Sequence, residues 1–344
     1  MNYPRTEIPT AYSQCLPDGK PIDLQIDRSF LTVHLDYAPV LRFKLSDWFA
    51  NRCFLRLIEL RAPEGLSENF TLKIAFCCLC EMIPTLREVE LDAEPALLES
   101  LSNDGLNFDA LASQRALCSR SSISQVADFW LSHPLKPLFP IDYTETNGRR
   151  HPIRPRLRGG QLYNRHIRSL KSDCSFRTLD PIRDLDLFHE WMNETRVSRF
   201  WELEGDLHHH ETYIAEVLSD PHIHPLIGRF NAEPFGYFEA YWAKEDRIGA
   251  YYEAEDYDRG LHVLVGESRF RGPHRVAAWL TSLVHFLFLE EPRTRNIVAE
   301  PRSDNHKMIQ YFMRAGFHRI KDFDFPHKRA ALMVLPREEF FQRF

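Results

Sequence analysis

The sequence predicts an α/β (α+β) protein of two domains: a smaller N-terminal α/β domain over residues 1–148 and a C-terminal domain over 173–344, joined by a basic linker over 149–172. Three observations predict it. The chain has 344 residues, 44% of them hydrophobic and 27% charged, enough for two ordinary cores. Stretches with a period of two alternate with helical stretches in both halves. Between the halves, the run from Gly148 to Ser172 holds eight basic residues and no acid, and is broken by Pro152, Pro155 and Gly159-Gly160.

In the first half, Ile22, Leu24 and Ile26, then Leu31, Val33 and Leu35, alternate with polar residues, as half-buried strands of a hairpin or meander do. A strand over 52–60, a helix over 67–83 and a strand over 86–92 follow. Cys77, Cys78 and Cys80 fall in that helix, where neighbouring positions cannot converge on a tetrahedral metal, so they read as packing residues. Seven cysteines without regular spacing argue against a disulfide framework and imply reduced thiols. This half holds no catalytic constellation. The linker charges, Arg149, Arg150, Arg154, Arg156, Arg158, Arg165, Arg168 and Lys171, read as a solvated tether pairing with acidic surfaces of both domains or as a clamp on the 3′-phosphate of a nucleotide cofactor.

The second half runs strand (175–179), helix (184–193), helix (208–219) and three strands (224–230, 235–243, 259–266). The basic loop Glu267–Gly272 leads into a long helix over 273–289, with Pro273 in its first turn and Ala277, Leu280, Val284, Leu287 and Phe288 on one face. A strand (296–301), a helix (303–315) and two closing strands (317–325, 329–336) complete it.

A net charge of −6 gives no bulk attraction to nucleic acid or anionic lipid. No apolar run reaches the roughly 18 residues of a membrane span, and the first residues lack the build of a secretory signal. A cytoplasmic protein with neither nucleic-acid nor membrane partners is expected. The histidines 208, 209 and 210, with His222 and His224, invite a metal, but consecutive helical side chains point about 100° apart and cannot share one ion, so no metal is assigned.

A strand feeding a loop with Arg269, Arg271 and Gly272, and then a helix N-terminus, gathers free N–H groups and a helix dipole at one place, which suits a phosphate. The order of elements around it resembles the cofactor half of the GNAT acetyltransferases. Their phosphate loop, Gln/Arg-x-x-Gly-x-Gly/Ala, is matched by Arg269, Gly272 and His274, the last departing from the small residue. Asn305, Met308, Phe312, Gly316 and Phe317 match the family's next element, with phenylalanine where its thiolate-protonating tyrosine commonly stands; Tyr311 lies one position off.

Three blocks (188–205, 224–252, and 258–272 with EPRSDN and FDFPHKRAALM) resemble more closely the siderophore-biosynthesis acetyltransferases typified by the aerobactin N6-hydroxylysine enzyme. The resemblance implies a GNAT fold with a mixed, splayed central sheet and acetyl-CoA as co-substrate. Val263, Val265, Gly266, Arg269, Phe270, Arg271, Gly272, His274, Arg275 and Asn305 would hold the cofactor. It implies a catalytic pair of His262 and Asp304, an imidazole of near-neutral pKa acting as general base with a carboxylate orienting it; the plainer reading is a core histidine beside a helix cap.

Tyr237, Glu239 and Tyr241 share a strand face that should border the acceptor groove, aromatic walls with one carboxylate for a distal ammonium. Asn193, Arg196, Trp201 and Glu202 should cover the acceptor, with Arg196 meeting a substrate carboxylate or simply pairing with a glutamate. Trp191, Phe200 and Trp201 read equally as core. The expected reaction is direct attack by an N-hydroxylated amine, hydroxylysine or a hydroxylated diamine, on the acetyl thioester in a ternary complex, with N–H groups near Val265 and Gly266 steadying the oxyanion. The rivals are a GNAT enzyme acylating an unmodified amine and a non-catalytic CoA-binding scaffold. Self-association and contact with other enzymes of the pathway stay open.

Overall fold

Alternation sets the strands of the first sheet. In the computed structural model, which describes residues 9–49, 51–112, 114–134, 141–154 and 159–344, β1 (Ala11–Cys15), β2 (Pro21–Asp27), β3 (Phe30–Leu35), β4 (Ala38–Phe49) and β5 (Arg52–Leu60) form an antiparallel meander. It buries Ile22, Leu24, Leu31, Val33 and Leu55. Ser67 caps α1 (Glu68–Met82) by accepting the Phe70 N–H, and the helix crosses to β6 (Glu88–Asp92), parallel to β5. Next come α2 (Pro95–Asn103), β7 (Asp109–Ala112), β8 (Arg115–Ser119) and α3 (Arg120–Ile123). Cys77, Cys78 and Cys80 are buried in α1, and burial pushes the Cys80 thiol up to about 12, so these are packing groups without thiolate character.

The second sheet begins within the segment expected as a linker. After the hairpin of β9 (Tyr143–Thr146) and β10 (Arg149–Pro152) come β11 (Gln161–Ile167) and β12 (Ser172–Thr178), and the chain divides into Met1–Trp130 with Phe341–Phe344 and Leu131–Phe340, not at residue 148. The described part of the segment is built into strands, and two of its cations have partners far along the chain. Arg149 donates to the carbonyls of Lys244 and Asp246, and Arg154 to the Asp256 carbonyl and the Glu245 carboxylate. Arg156 and Arg158 lie outside the described residues.

Asp180 and Pro181 start α4 (Pro181–Met192), the aspartate accepting the Ile182 and Arg183 N–H groups. Then come α5 (Thr195–Trp201), α6 (Leu207–Ser219), β13 (Ile223–Phe230), β14 (Glu233–Trp242), β15 (Arg259–Val265), α7 (Pro273–Glu290), β16 (Asn296–Ala299), α8 (His306–Arg314), β17 (His318–Asp324), β18 (Arg329–Pro336) and α9 (Arg337–Arg343). The sheet order is β11-β12-β13-β14-β15-β16-β18-β17.

Alternation along β14 sends Tyr237 against Phe188 of α4 on one face and Phe238 against Trp279 of α7 on the other. The helix α7 is buried more widely than the one stripe read from its sequence, at Val276, Trp279, Leu283 and Phe286 as well as Leu280, Val284, Leu287 and Phe288, whereas Ala277 is exposed. One pairing positions the site. β15 and β16 run parallel but pair only at Arg259–Ile297 and Gly260–Val298, after which they separate. No described helix is long and apolar enough to cross a membrane.

Candidate active site

The register of β14 and β15 sets Glu239 directly opposite His262. His262 Nδ1 lies 2.8 Å from Glu239 Oε2, and Nε2 lies 2.7 Å from Oε1 of Glu300, the residue just past the end of β16. Both carboxylates are buried, Glu239 at 3% and Glu300 at 2% exposure, so they persist as charges only because every oxygen is engaged. Tyr213 of α6 and Tyr237 donate to Glu239 Oε1 at 2.5 and 2.8 Å, and Tyr241 donates to Glu300 Oε2 at 2.5 Å.

A ring with a carboxylate at each nitrogen must carry a proton on both. Burial alone would lower its pKa, but the Glu300 charge and the two hydrogen bonds outweigh burial and raise it to about 10. Burial would raise Glu300, yet the imidazolium holds it down to about 2, and Glu239 is lowered in the same way. The near-neutral imidazole expected from the sequence is thus corrected: His262 rests as a cation.

The expected His262–Asp304 pair is also corrected. Asp304 is exposed and bound to Arg302 at 3.2 Å, because the chain has already turned toward α8; Glu300, four residues earlier, fills the place. Glu300 lies in the EPRSDN block and Tyr213 in the helix that carries the three consecutive histidines, and nothing in their local spacing marks either one.

Two cavities meet at the β15 edge. One, about 450 Å³, is lined by His262, Glu239, Glu300, Trp201, Glu202 and Phe312 among others. The second, about 220 Å³, is lined by Val263, Val265, Arg271, Gly272, Arg196 and Tyr311 among others. Phe200, Trp201, Val263, Asn305 and Met308 belong to both.

Several predicted residues have other duties. Tyr237 and Tyr241 are buried behind the cavity and hold its carboxylates. Glu202 faces the cavity and pairs with Arg302 at 3.1 Å. Asn193 does not reach it; its amide bridges the Gly205 N–H and carbonyl and braces α4. Arg196 is not open to a substrate carboxylate, since it donates to the carbonyls of Val265 and Gly266 and pairs with Glu194. Gly266 is required by contact, because a Cβ there would lie 2.0 Å from the Trp191 ring. Asn305 caps α8 through the Met308 N–H.

The second cavity fits a coenzyme. Ala243 N–H bonds the Asp258 carbonyl, and paired positions alternate along an antiparallel ladder, so the backbone groups of Leu261, Val263 and Val265 lie on the side of β16, where the Val265 carbonyl is taken by Arg196 and Val263 faces the gap. Gly272, with φ +122°, turns the chain into the N-terminus of the 18-residue α7. Arg271 borders the cavity with no ion pair among the described residues. Arg269 is tied to Glu233 and Glu267, Arg275 stacks on Phe270, Phe270 is buried, and His274 is exposed.

Among the described residues no three His, Cys, Asp or Glu side chains are grouped to hold a metal. His210 bonds the Leu203 carbonyl and His189, and His222 is held by Asp220 and Asp246.

A sheet whose parallel strands part over a helix N-terminus, with an acceptor cavity alongside, defines an acyltransferase of the coenzyme-A-dependent class. Residues 180–325 match the family described as acetyltransferase (GNAT) domain. A Schizosaccharomyces pombe protein, provisionally named a lysine N-acyltransferase, is 38% identical over 83% of this chain and 85% of its own. The N(6)-hydroxylysine O-acetyltransferase of Escherichia coli is 44% identical over 55% of this chain and 60% of its own, and a hydroxyornithine transacylase of Ajellomyces capsulatus 44% over 60% and 49%. The chain thus spans only about half to three fifths of these last two. The solved structure of an uncharacterised Bacillus halodurans protein superposes with a TM-score of 0.51 at 33% identity, covering 52% of this chain and 92% of that one. The protein belongs to the GNAT acetyltransferases, whose co-substrate is acetyl-CoA.

Proposed function

We propose that the protein transfers an acyl group from coenzyme A to the nitrogen of an N-hydroxylated amine in the cytoplasm, making a hydroxamate for a siderophore. The observation that carries this reading is the meeting of two cavities at the free edge of β15, one fitted to a coenzyme and the other floored by the Glu239–His262–Glu300 clamp. The names of the E. coli and A. capsulatus relatives support the hydroxylated acceptor.

Bound acyl-CoA supplies an activated thioester. Val263 and Val265 would align its pantetheine arm through backbone pairing, while Arg271, Gly272 and the α7 N-terminus would take the pyrophosphate. Trp201, lying edge-on to His262 with ring centres 6.2 Å apart, helps close the acceptor side. An N-hydroxy amine is less basic than an amine and arrives largely unprotonated, so the site has only to accept the proton released on attack. His262 Nε2 can take that proton only in the neutral form of the ring and with its bond to Glu300 opened, and that form is the minor one at pH 7 given a pKa near 10. Asp304 has no part in this step. The first sheet, which repeats the strand order of the second, serves as a non-catalytic copy of the fold.

The test is incubation of purified protein and acetyl-CoA with N6-hydroxylysine, N5-hydroxyornithine and their parent amines. An N-acyl product binds iron(III) as a coloured hydroxamate, and an O-acyl product does not. Acylation of the parent amines alone, or no uptake of acetyl-CoA, would end this reading.

A further inference from the structure

We infer that Arg247 and Lys328 form a carboxylate subsite that makes the acceptor an N-hydroxylated amino acid and disfavours the diamine that lacks the carboxylate. The inference rests on the proposed acyl transfer and adds the chemistry of the acceptor's far end.

Both residues line the acceptor cavity. Arg247 begins a short turn capped by Asp246, and Lys328 sits in the turn joining β17 to β18, where the Phe325 N–H bonds its carbonyl. They converge on one ring: the Arg247 guanidinium lies 5.4 Å and the Lys328 ammonium 5.5 Å from the centre of Phe325, and His327 stacks on the same ring at 5.4 Å. Like charges gathered at a cavity wall imply an anion to offset them.

The neighbouring acids are already committed. Glu300, 3.9 Å from Lys328, is held by His262 and Tyr241; Asp246 accepts the Ile248 N–H and faces His222; Glu202 pairs with Arg302. Arg247 has no ion pair among the described residues. A bidentate guanidinium beside an ammonium matches a carboxylate. A diamine would bring its ammonium among Arg247, Arg302 and Lys328 with no carboxylate beside it, and Glu239, the one acid expected to receive it, is taken by His262, Tyr213 and Tyr237.

The experiment compares kcat/KM for N6-hydroxylysine and N-hydroxycadaverine, which differ only in the carboxylate, and for the shorter pair N5-hydroxyornithine and N-hydroxyputrescine. The wild type should favour the amino acid of the better-fitting pair by roughly 10- to 100-fold, the worth of a charge-assisted contact. Arg247→Ala and Lys328→Ala should each reduce that preference, chiefly through KM, and Lys328→Arg should restore most of it. A wild-type preference within about threefold, or one unmoved in both alanine variants, overturns the inference. Should no acceptor turn over, the proposed function fails, and calorimetry on the same compounds still decides: tighter binding of the amino acids sustains the subsite, while equal binding or none removes it.

Discussion

The two sheets of this chain follow one strand order and differ where function would enter. The first reads β1-β2-β3-β4-β5-β6-β8-β7 and the second β11-β12-β13-β14-β15-β16-β18-β17, each with a single parallel pair bridged by a long helix. In the first sheet that pair is closed along five positions, Arg52–Glu88 through Arg56–Asp92. In the second it holds at two and then opens. The second sheet also inserts α4, α5 and α6 between β12 and β13, whereas the equivalent β2 and β3 of the first join directly. The same topology thus makes a sealed core when its parallel strands stay paired, and a two-sided site when they part and helices roof one side.

That contrast can be broken most sharply at the clamp. His262→Ala should lower kcat/KM by about 100- to 10,000-fold, with acetyl-CoA binding retained in calorimetry; retention of turnover would show that the opening alone suffices. The proton balance is a further check. With the folded His262 pKa raised to about 10, the neutral base grows roughly tenfold per pH unit below that value, so kcat/KM should rise through the neutral range and level off near pH 10. Glu300→Gln removes the largest of the influences that raise His262, so its limb should move to lower pH. A flat wild-type profile would mean that the ring works as a fixed cation.

A smaller effect comes from the close contact behind the gap. Gly266→Ala places a Cβ 2.0 Å from Trp191 and should cost about 1–3 kcal/mol of stability in denaturant unfolding, with a higher KM for acetyl-CoA. In the closed sheet Leu55→Ala, at 1% exposure, should cost about 2–5 kcal/mol by the same measurement. Its kcat per folded molecule should hardly change, the smallest functional effect of the set. A large loss of kcat there would join the two sheets in function.

Local pattern was enough for most of the architecture. The alternation of Leu24, Val33 and Tyr237 and the glycine turn before α7 are short-range properties, and the structure builds those elements where the residues called for them, while α4 starts three residues before the expected 184, at the Asp180 cap. The carboxylate that bonds His262 Nε2 was not legible, because Asp304 and Glu300 lie within four residues of each other and only the angle at which β16 leaves β15 chooses between them. The basic segment was misread for a related reason: the partners of Arg149 and Arg154 lie about 90 to 100 residues away, beyond what spacing can reveal. Of the two roles open to Arg196, a substrate carboxylate or a glutamate, the structure has the glutamate, Glu194, together with two backbone carbonyls. A cation's availability is a tertiary property.

Those two carbonyls belong to Val265 and Gly266, at the end of the edge that the coenzyme would line, while Arg196 itself rides on α5, which ends at the Trp201 wall of the acceptor cavity. One side chain therefore latches the acceptor's cover to the donor's track. Any shift of α5 that accompanies one substrate is felt by the other, and thermodynamic reciprocity requires the coupling to be equal in both directions. On the proposed function the two substrates would then bind as a linked pair, with Arg196 as the tether between them.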